Sequence, residues 1–170
     1  RKFSEPLTSV CREVFERAGE RKLAETYVNP DIEPDLPFVF RSTEWCKPGG
    51  RIAMALPARI LLKQADTPRR AREALFRLIQ VSGIINGSNL ADTDVWPDMS
   101  QPFMLFFASN RRPANDQTVR FITPLYDDAL NHSGQLVIDS KSAQPIRVSE
   151  TLKYPWFWKA HAVGTSLDVE

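Results

Sequence analysis

Three short segments of this chain hold the side chains with chemistry to offer. Pro57, Ala58 and Arg59 follow a continuous apolar run at 52–56, which opens on the turn Pro48-Gly49-Gly50. Proline cannot donate to a sheet ladder, so strand pairing is expected to stop at Pro57, and ligands of open α/β sheets bind beyond the carboxyl ends of the strands. Asn86-Gly87-Ser88-Asn89 follows a second apolar run and supplies amide and hydroxyl groups able to grip a ligand. A turn closed by side-chain-to-backbone hydrogen bonds would use the same residues. Val95-Trp96-Pro97 sets an indole in a loop ahead of a third run, held by the proline after it. There the ring is either a stacking platform or part of the core.

Other reactive groups have plainer explanations. Arg69, Arg70, Arg72 and Arg77 share one helix and could meet phosphates, but Glu73 among them points to a solvated face. Trp156, Phe157 and Trp158 could stack on bases, although clustered aromatics more commonly pack a core or a subunit contact. His132 and His161 stand apart with no ligand cluster around either, so no metal is assigned. No Gly-x-Gly-x-x-Gly follows a strand, and there is no Gly-Lys-Ser/Thr phosphate loop or Gly-x-Ser-x-Gly elbow. The common nucleotide and hydrolase readings lose their support.

Composition narrows the class further. At 170 residues with 42% hydrophobic and 25% charged, one globular domain with a sizeable core is the expectation. Twenty-two Lys and Arg against twenty-one Asp and Glu give a net charge of +1, which neither demands nor excludes a polyanionic partner. Cys11 and Cys46 are too few for a disulfide framework and fit a reducing compartment. No apolar run approaches the roughly 20 residues that span a bilayer, so a soluble, cytoplasmic protein without a membrane partner is expected. The chain begins at Arg1, without a methionine, which suggests a fragment or processed product.

The elements that must position these groups alternate between helix and strand. Apolar spacing predicts helices over 5–18, 34–45 and 67–80, with Pro37 tolerated in the first turn of the second. In the third, Ala71, Ala74, Leu75, Leu78 and Ile79 face the core and the arginines face elsewhere. Strands are predicted at 51–56, 81–85, 102–108 and 118–123, the first buried on both sides and the last two spaced to form an antiparallel pair. Beyond Pro124 come a short helix to Asn131, a turn at Gly134, a strand at 136–139 and a helix-like aromatic segment. Asn29-Pro30-Asp31 reads as a loop.

In this order, Trp45-Cys46-Lys47-Pro48-Gly49-Gly50-Arg51-Ile52-Ala53-Met54-Ala55-Leu56-Pro57-Ala58-Arg59, Ser82-Gly83-Ile84-Ile85-Asn86-Gly87, Val95-Trp96-Pro97 and Pro102-Phe103-Met104-Leu105-Phe106-Phe107-Ala108 resemble the C-terminal half of bacterial restriction-modification adenine-N6 DNA methyltransferases. The resemblance runs from about Pro34 to Asp168. It implies an α/β fold: part of a Rossmann-like methyltransferase sheet, with 51–56 a late central strand and 102–108 with 118–123 the closing antiparallel pair, followed by an α+β extension. The implied organisation is an N-terminal helix and loop over 1–33, the half-domain over 34–124, and an extension over 125–170 leading toward DNA recognition. S-adenosylmethionine is the implied cofactor, double-stranded DNA the implied partner, and a specificity or restriction subunit a further one.

Two of that family's motifs are missing. Neither the Gly-containing donor loop nor the Asn/Asp-Pro-Pro-aromatic catalytic loop occurs; Asn29-Pro30-Asp31 lacks the second proline and the aromatic. No catalytic residue is therefore assigned within this chain, and the catalytic core is expected upstream. For the intact enzyme the resemblance implies extrusion of the target adenine and direct methyl transfer to its N6. Trp96, Pro57 and Ala58 would form the target-base pocket, with Trp96 stacking on the base, a contact of about 1–3 kcal/mol. Arg59 would meet a flanking phosphate, and Asn86 and Ser88 would face the DNA. The rival readings are a non-catalytic DNA-binding or assembly module with the same half-fold, and an unrelated α/β enzyme whose ligand sits at the Pro57 and Asn86 loops.

Overall fold

A computed structural model describes residues 4–163. Helix α1 (Glu5–Arg17) buries Cys11, Val14 and Phe15 on one stripe, and Gly19 ends it by turning left-handed at φ 76°. Two further helices, α2 (Arg21–Thr26) and α3 (Asp35–Trp45), pack against it. Phe15, Tyr27 and Phe40 meet edge to face there, with ring centroids 5.1, 4.9 and 5.7 Å apart. Strand β1 (Arg51–Pro57) passes through a single-turn helix α4 (Arg59–Leu62) to α5 (Asp66–Leu78) and β2 (Gln80–Asn86). The chain continues through β3 (Phe103–Ser109), β4 (Thr118–Ile122), α6 (Asp128–Asn131), β5 (Ala143–Arg147), α7 (Val148–Lys153) and α8 (Phe157–Val163).

The five strands form one mixed sheet in the order β1-β3-β2-β4-β5. Strand β3 is antiparallel to both β1 and β2, while β4 runs parallel to β2 and β5 antiparallel to β4. It follows that β1, β2 and β4 share a direction and bring their carboxyl ends to one edge of the molecule. One sheet face carries Ile52, Leu56, Met104, Phe106, Val81, Ile84, Val119, Phe121 and Ile146, all buried in the core shared with the helices. Trp158 of α8 is 1% exposed, stacked on Phe76 of α5 at 5.4 Å and tilted on Phe121 of β4 at 5.5 Å. The opposite face is open, with Ala53, Ala55, Phe107, Arg120, Pro145 and Arg147 exposed along it.

Several sequence expectations need correction. The run at 51–56 is neither central nor buried on both sides: β1 is an edge strand whose Ala53 and Ala55 face solvent. Small apolar residues made an alternating pattern read as continuous. The predicted pairing of 102–108 with 118–123 does not form. Both edges of β3 are taken by β1 and β2, so β4 joins the other edge of β2. At 136–139 there is only an isolated bridge, Leu125 to Val137, whereas β5, with Pro145 within it, was not expected. An edge position tolerates that proline. Arg72 does not share the solvated side of α5: it is 3% exposed, and its Nη1 donates to the carbonyl oxygens of Ile60 and Lys63 at 3.4 and 2.7 Å. The last part of the resemblance, up to Asp168, lies outside the described residues.

Candidate functional site

All six sequence-derived site residues lie at the edge where β1, β2 and β4 end. Their common anchor is Phe103, the first residue of β3. Pro57 is its register partner on β1, the Gly87 amide donates to its carbonyl at 2.8 Å, and the Trp96 ring rests on its ring at a centroid distance of 4.9 Å. The Ala58 amide donates to the Pro102 carbonyl at 2.9 Å, tying the exit of β1 to the same place. Gly87 is required by this packing, since a Cβ there would lie 2.3 Å from the Phe103 ring. The loop presenting Trp96 is closed by its own bonds, Asp92 N to Met99 O at 2.9 Å and Thr93 Oγ1 to Leu90 O at 2.6 Å. It turns at Asp92 and Asp98, both at positive φ, a conformation that aspartate tolerates better than most residues.

The individual side chains differ in what they leave free. Trp96 is half-buried, one side on Phe103 and the rest reachable. Asn86 is 3% exposed, and its Oδ1 accepts from Ser88 N at 3.2 Å and Ser88 Oγ at 2.6 Å, so this pair closes the turn after β2. The Asn86 Nδ2 is a buried donor with no hydrogen-bond partner among the described residues. Arg59 is engaged by Asp35 and lies 3.6 Å from Asp31, which also sits 3.5 Å from Lys63. Burial pushes the Asp35 carboxyl above its ordinary range, against the pull of Arg59. Ala58 is buried, and Pro57 is half-buried and lines a cleft at the end of β1.

Sequence reasoning missed two cations here. Lys63 and Lys159 line, with Pro57 and Arg59, a cleft of about 280 Å³ at the carboxyl end of β1. The four-residue spacing of Arg59 and Lys63 was a usable signal for a shared helical face. Lys159 arrives from α8 by tertiary packing alone.

Elsewhere the titratable groups are structural. Burial raises the Cys11 thiol to about 12, which keeps it protonated and unreactive. His132 is exposed beside Asp128. His161 Nδ1 donates to Gln144 Oε1, and burial pulls the His161 pKa down. Among the described residues, the loops that leave the ends of β1, β2 and β4 hold one glycine, Gly87, and it is taken up by packing on Phe103. Gly49 and Gly50 stand at the opposite, amino end of β1, and a Cβ at Gly50 would lie 2.5 Å from Cys46 Sγ, so tight turn packing explains that glycine.

No family model and no curated protein matches this chain. Solved structures do, at the level of fold. A structure from a study of complex assembly and conformational transition of the type I restriction-modification system matches with a TM-score of 0.57 and 12% identity, over 81% of this chain and 33% of that one. The type I restriction-modification methyltransferase subunit from Streptococcus thermophilus gives 0.53 and 14%, over 76% and 30%. A modification subunit of a putative type I restriction enzyme from Vibrio vulnificus gives 0.54 and 16%, over 72% and 29%. This chain thus spans about a third of the length of the structures it resembles, and it shares the fold of that part of them.

Proposed function

We propose that this chain is the target-base half of an S-adenosylmethionine-dependent DNA methyltransferase that modifies N6 of adenine in a restriction-modification or related defence system. The observation that carries this reading is the unfinished sheet. Strand β1 has one free edge among the described residues, the sheet face bearing Ala53, Ala55 and Phe107 is open, and the match takes in only 33%, 30% and 29% of the similar structures' own length. A further polypeptide segment, adding parallel strands to β1 and helices to the open face, would supply the donor loop and the catalytic motif that these residues lack. The residues present do not fit a methyl donor, so no methyl-transfer step is assigned to them.

What this half contributes is placement of the base and its strand. Trp96, backed by Phe103, offers a ring face for an extruded adenine, with Pro57 and Ala58 as the floor beneath. The turn bond between Asn86 and Ser88 holds the neighbouring loop, and a specificity or restriction subunit is the expected protein partner in the assembled system. The test is methyl transfer to adenine in duplex DNA by the product of the complete gene and by the 170 residues alone. Transfer is expected only from the former. Activity from the 170 residues would refute this division of labour, and a complete gene with no donor or catalytic motif would favour the non-catalytic module. In the active protein, Trp96→Phe should keep the emission of 2-aminopurine at the target position, while Trp96→Ala loses it with little change in melting temperature. Collapse of the fold in Trp96→Ala would make the indole structural.

A further inference from the structure

The cleft at the carboxyl end of β1 collects cations from separate elements. Arg59 comes from α4, Lys63 from just after it and Lys159 from α8, with Pro57, Leu62, Gln101 and Pro102 completing the walls, and no carboxylate among the described residues lines the opening. Asp31 and Asp35 stand behind Arg59 and Lys63 and hold them in place, while Lys159 is exposed and forms no ion pair among the described residues. Arg59 and Lys63 face Asp31 and Asp35, with Glu33 also close to Asp35, so Lys159 is the cation of the cleft that has no carboxylate of its own among the described residues. A cleft at the opposite end of the sheet also gathers arginines: Arg17, Arg77 and Arg112 are closed by Glu44, Glu73 and Glu20, while Arg111 forms no ion pair among the described residues.

We propose that the cleft binds a DNA phosphodiester next to the base presented to Trp96, with Lys159 and Lys63 as its principal contacts. This rests on the DNA-modifying reading above. The two features are built on one residue pair: Pro57 lines the cleft and is the register partner of Phe103, on which Trp96 rests. A strand whose base lies on the indole would carry its backbone past the lysines. Lysine ammonium groups suit this task because they act as point charges on a phosphate whose orientation varies. The cleft is open and holds no cage of buried donors, so a polymer that makes further contacts elsewhere is a better occupant than a free anion.

The experiment is the salt dependence of binding to a fluorescent duplex by anisotropy, for the wild-type chain, Lys159→Ala, Lys63→Ala and Lys159→Arg. Each alanine variant should lower the slope of log K against log salt by about one, since one fewer counterion is released, and Lys159→Arg should restore it. Lys22→Ala, remote on α2, should leave the slope unchanged. Duplex binding with the same slope in every variant overturns the phosphate assignment and leaves the DNA reading standing. Absence of any duplex binding at low salt overturns both. Titration with inorganic phosphate, followed by NMR shifts around Lys159, separates the remaining source. Saturation by phosphate without a lysine effect on the DNA slope means that the cleft takes a free anion, and the proposal falls.

Discussion

Replacing Gly87 by alanine probes the seat of the indole with one methyl group. Gly87 has φ −93° and ψ 13°, a conformation open to alanine, so backbone strain contributes nothing and only the added volume acts. That methyl would sit 2.3, 2.4 and 2.7 Å from three atoms of the Phe103 ring, where ordinary carbon contacts are about 3.5–4.0 Å. The ring must shift by more than an ångström's worth of overlap, yet it is 4% exposed and pinned between Trp96 and the ladder to Pro57. Overpacking of this kind costs about 1–3 kcal/mol. For a chain of this size each kcal/mol is about 2–4 °C, so the melting temperature should fall by about 2–12 °C. Thermal melts followed by circular dichroism measure the loss, and emission of Trp96, isolated by subtracting the Trp96→Phe variant, reports the displaced ring. Phe103→Leu provides the control: it leaves a cavity by itself but makes room for the methyl, so the double variant should be more stable than the sum of the singles by at least about 0.5 kcal/mol. Strict additivity, or an unchanged melting temperature in Gly87→Ala, would show that the close approach of loop and ring does not hold the site together.

Two other perturbations test the supports around it. Arg72→Ala should cost about 2–3 kcal/mol in urea unfolding, because the carbonyls of Ile60 and Lys63 lose a charged donor; Arg72→Met, which restores packing without donors, should recover less than half of it. Burial and the like charge of Arg69 already hold the Arg72 pKa down at about 10, so full recovery in the methionine variant would show that the charge gives no net stability. His161 sets an acid limit. Burial depresses its pKa in the folded chain, so below the ordinary value near 6.5 the unfolded chain takes up a proton that the folded one resists. Stability should therefore decline as pH falls through about 6.5, and His161→Gln should flatten that decline in melts across the same window.

What could be read from the sequence followed the strength of local signals. Helices α1 and α5 and strand β3 carry dense periodic or continuous apolar patterns, and they lie within a residue or two of expectation. The loops after β1 and β2 were found because Pro57 and Asn86-Gly87 punctuate the chain, and the direction shared by those strands made both loops part of one edge. The strand order was not legible, since it depends on which edge is vacant when each strand arrives, a property of the assembled sheet. Arg72 was misjudged for a related reason. Its partners are carbonyls at the end of α4, and no side-chain pattern announces a backbone acceptor.

The asymmetry of the sheet ties these points to the site. Strand β3 stands between β1 and β2 and runs against both, so its first residue, Phe103, arrives where the other two end. That reversal is what lets one aromatic residue serve as floor for Trp96, stop for Gly87 and partner for Pro57. A chain that continued in parallel order would have placed a carboxyl end there and left no such pivot. The helices burden one face only, and the cations of the β1 cleft come from α4, its exit and α8 on that covered side, whereas Arg120 and Arg147 lie on the open one without ion pairs among the described residues. The covered side thus supplies a stable support and its charged rim, while the opposite face and one edge of β1 stay uncovered among the described residues.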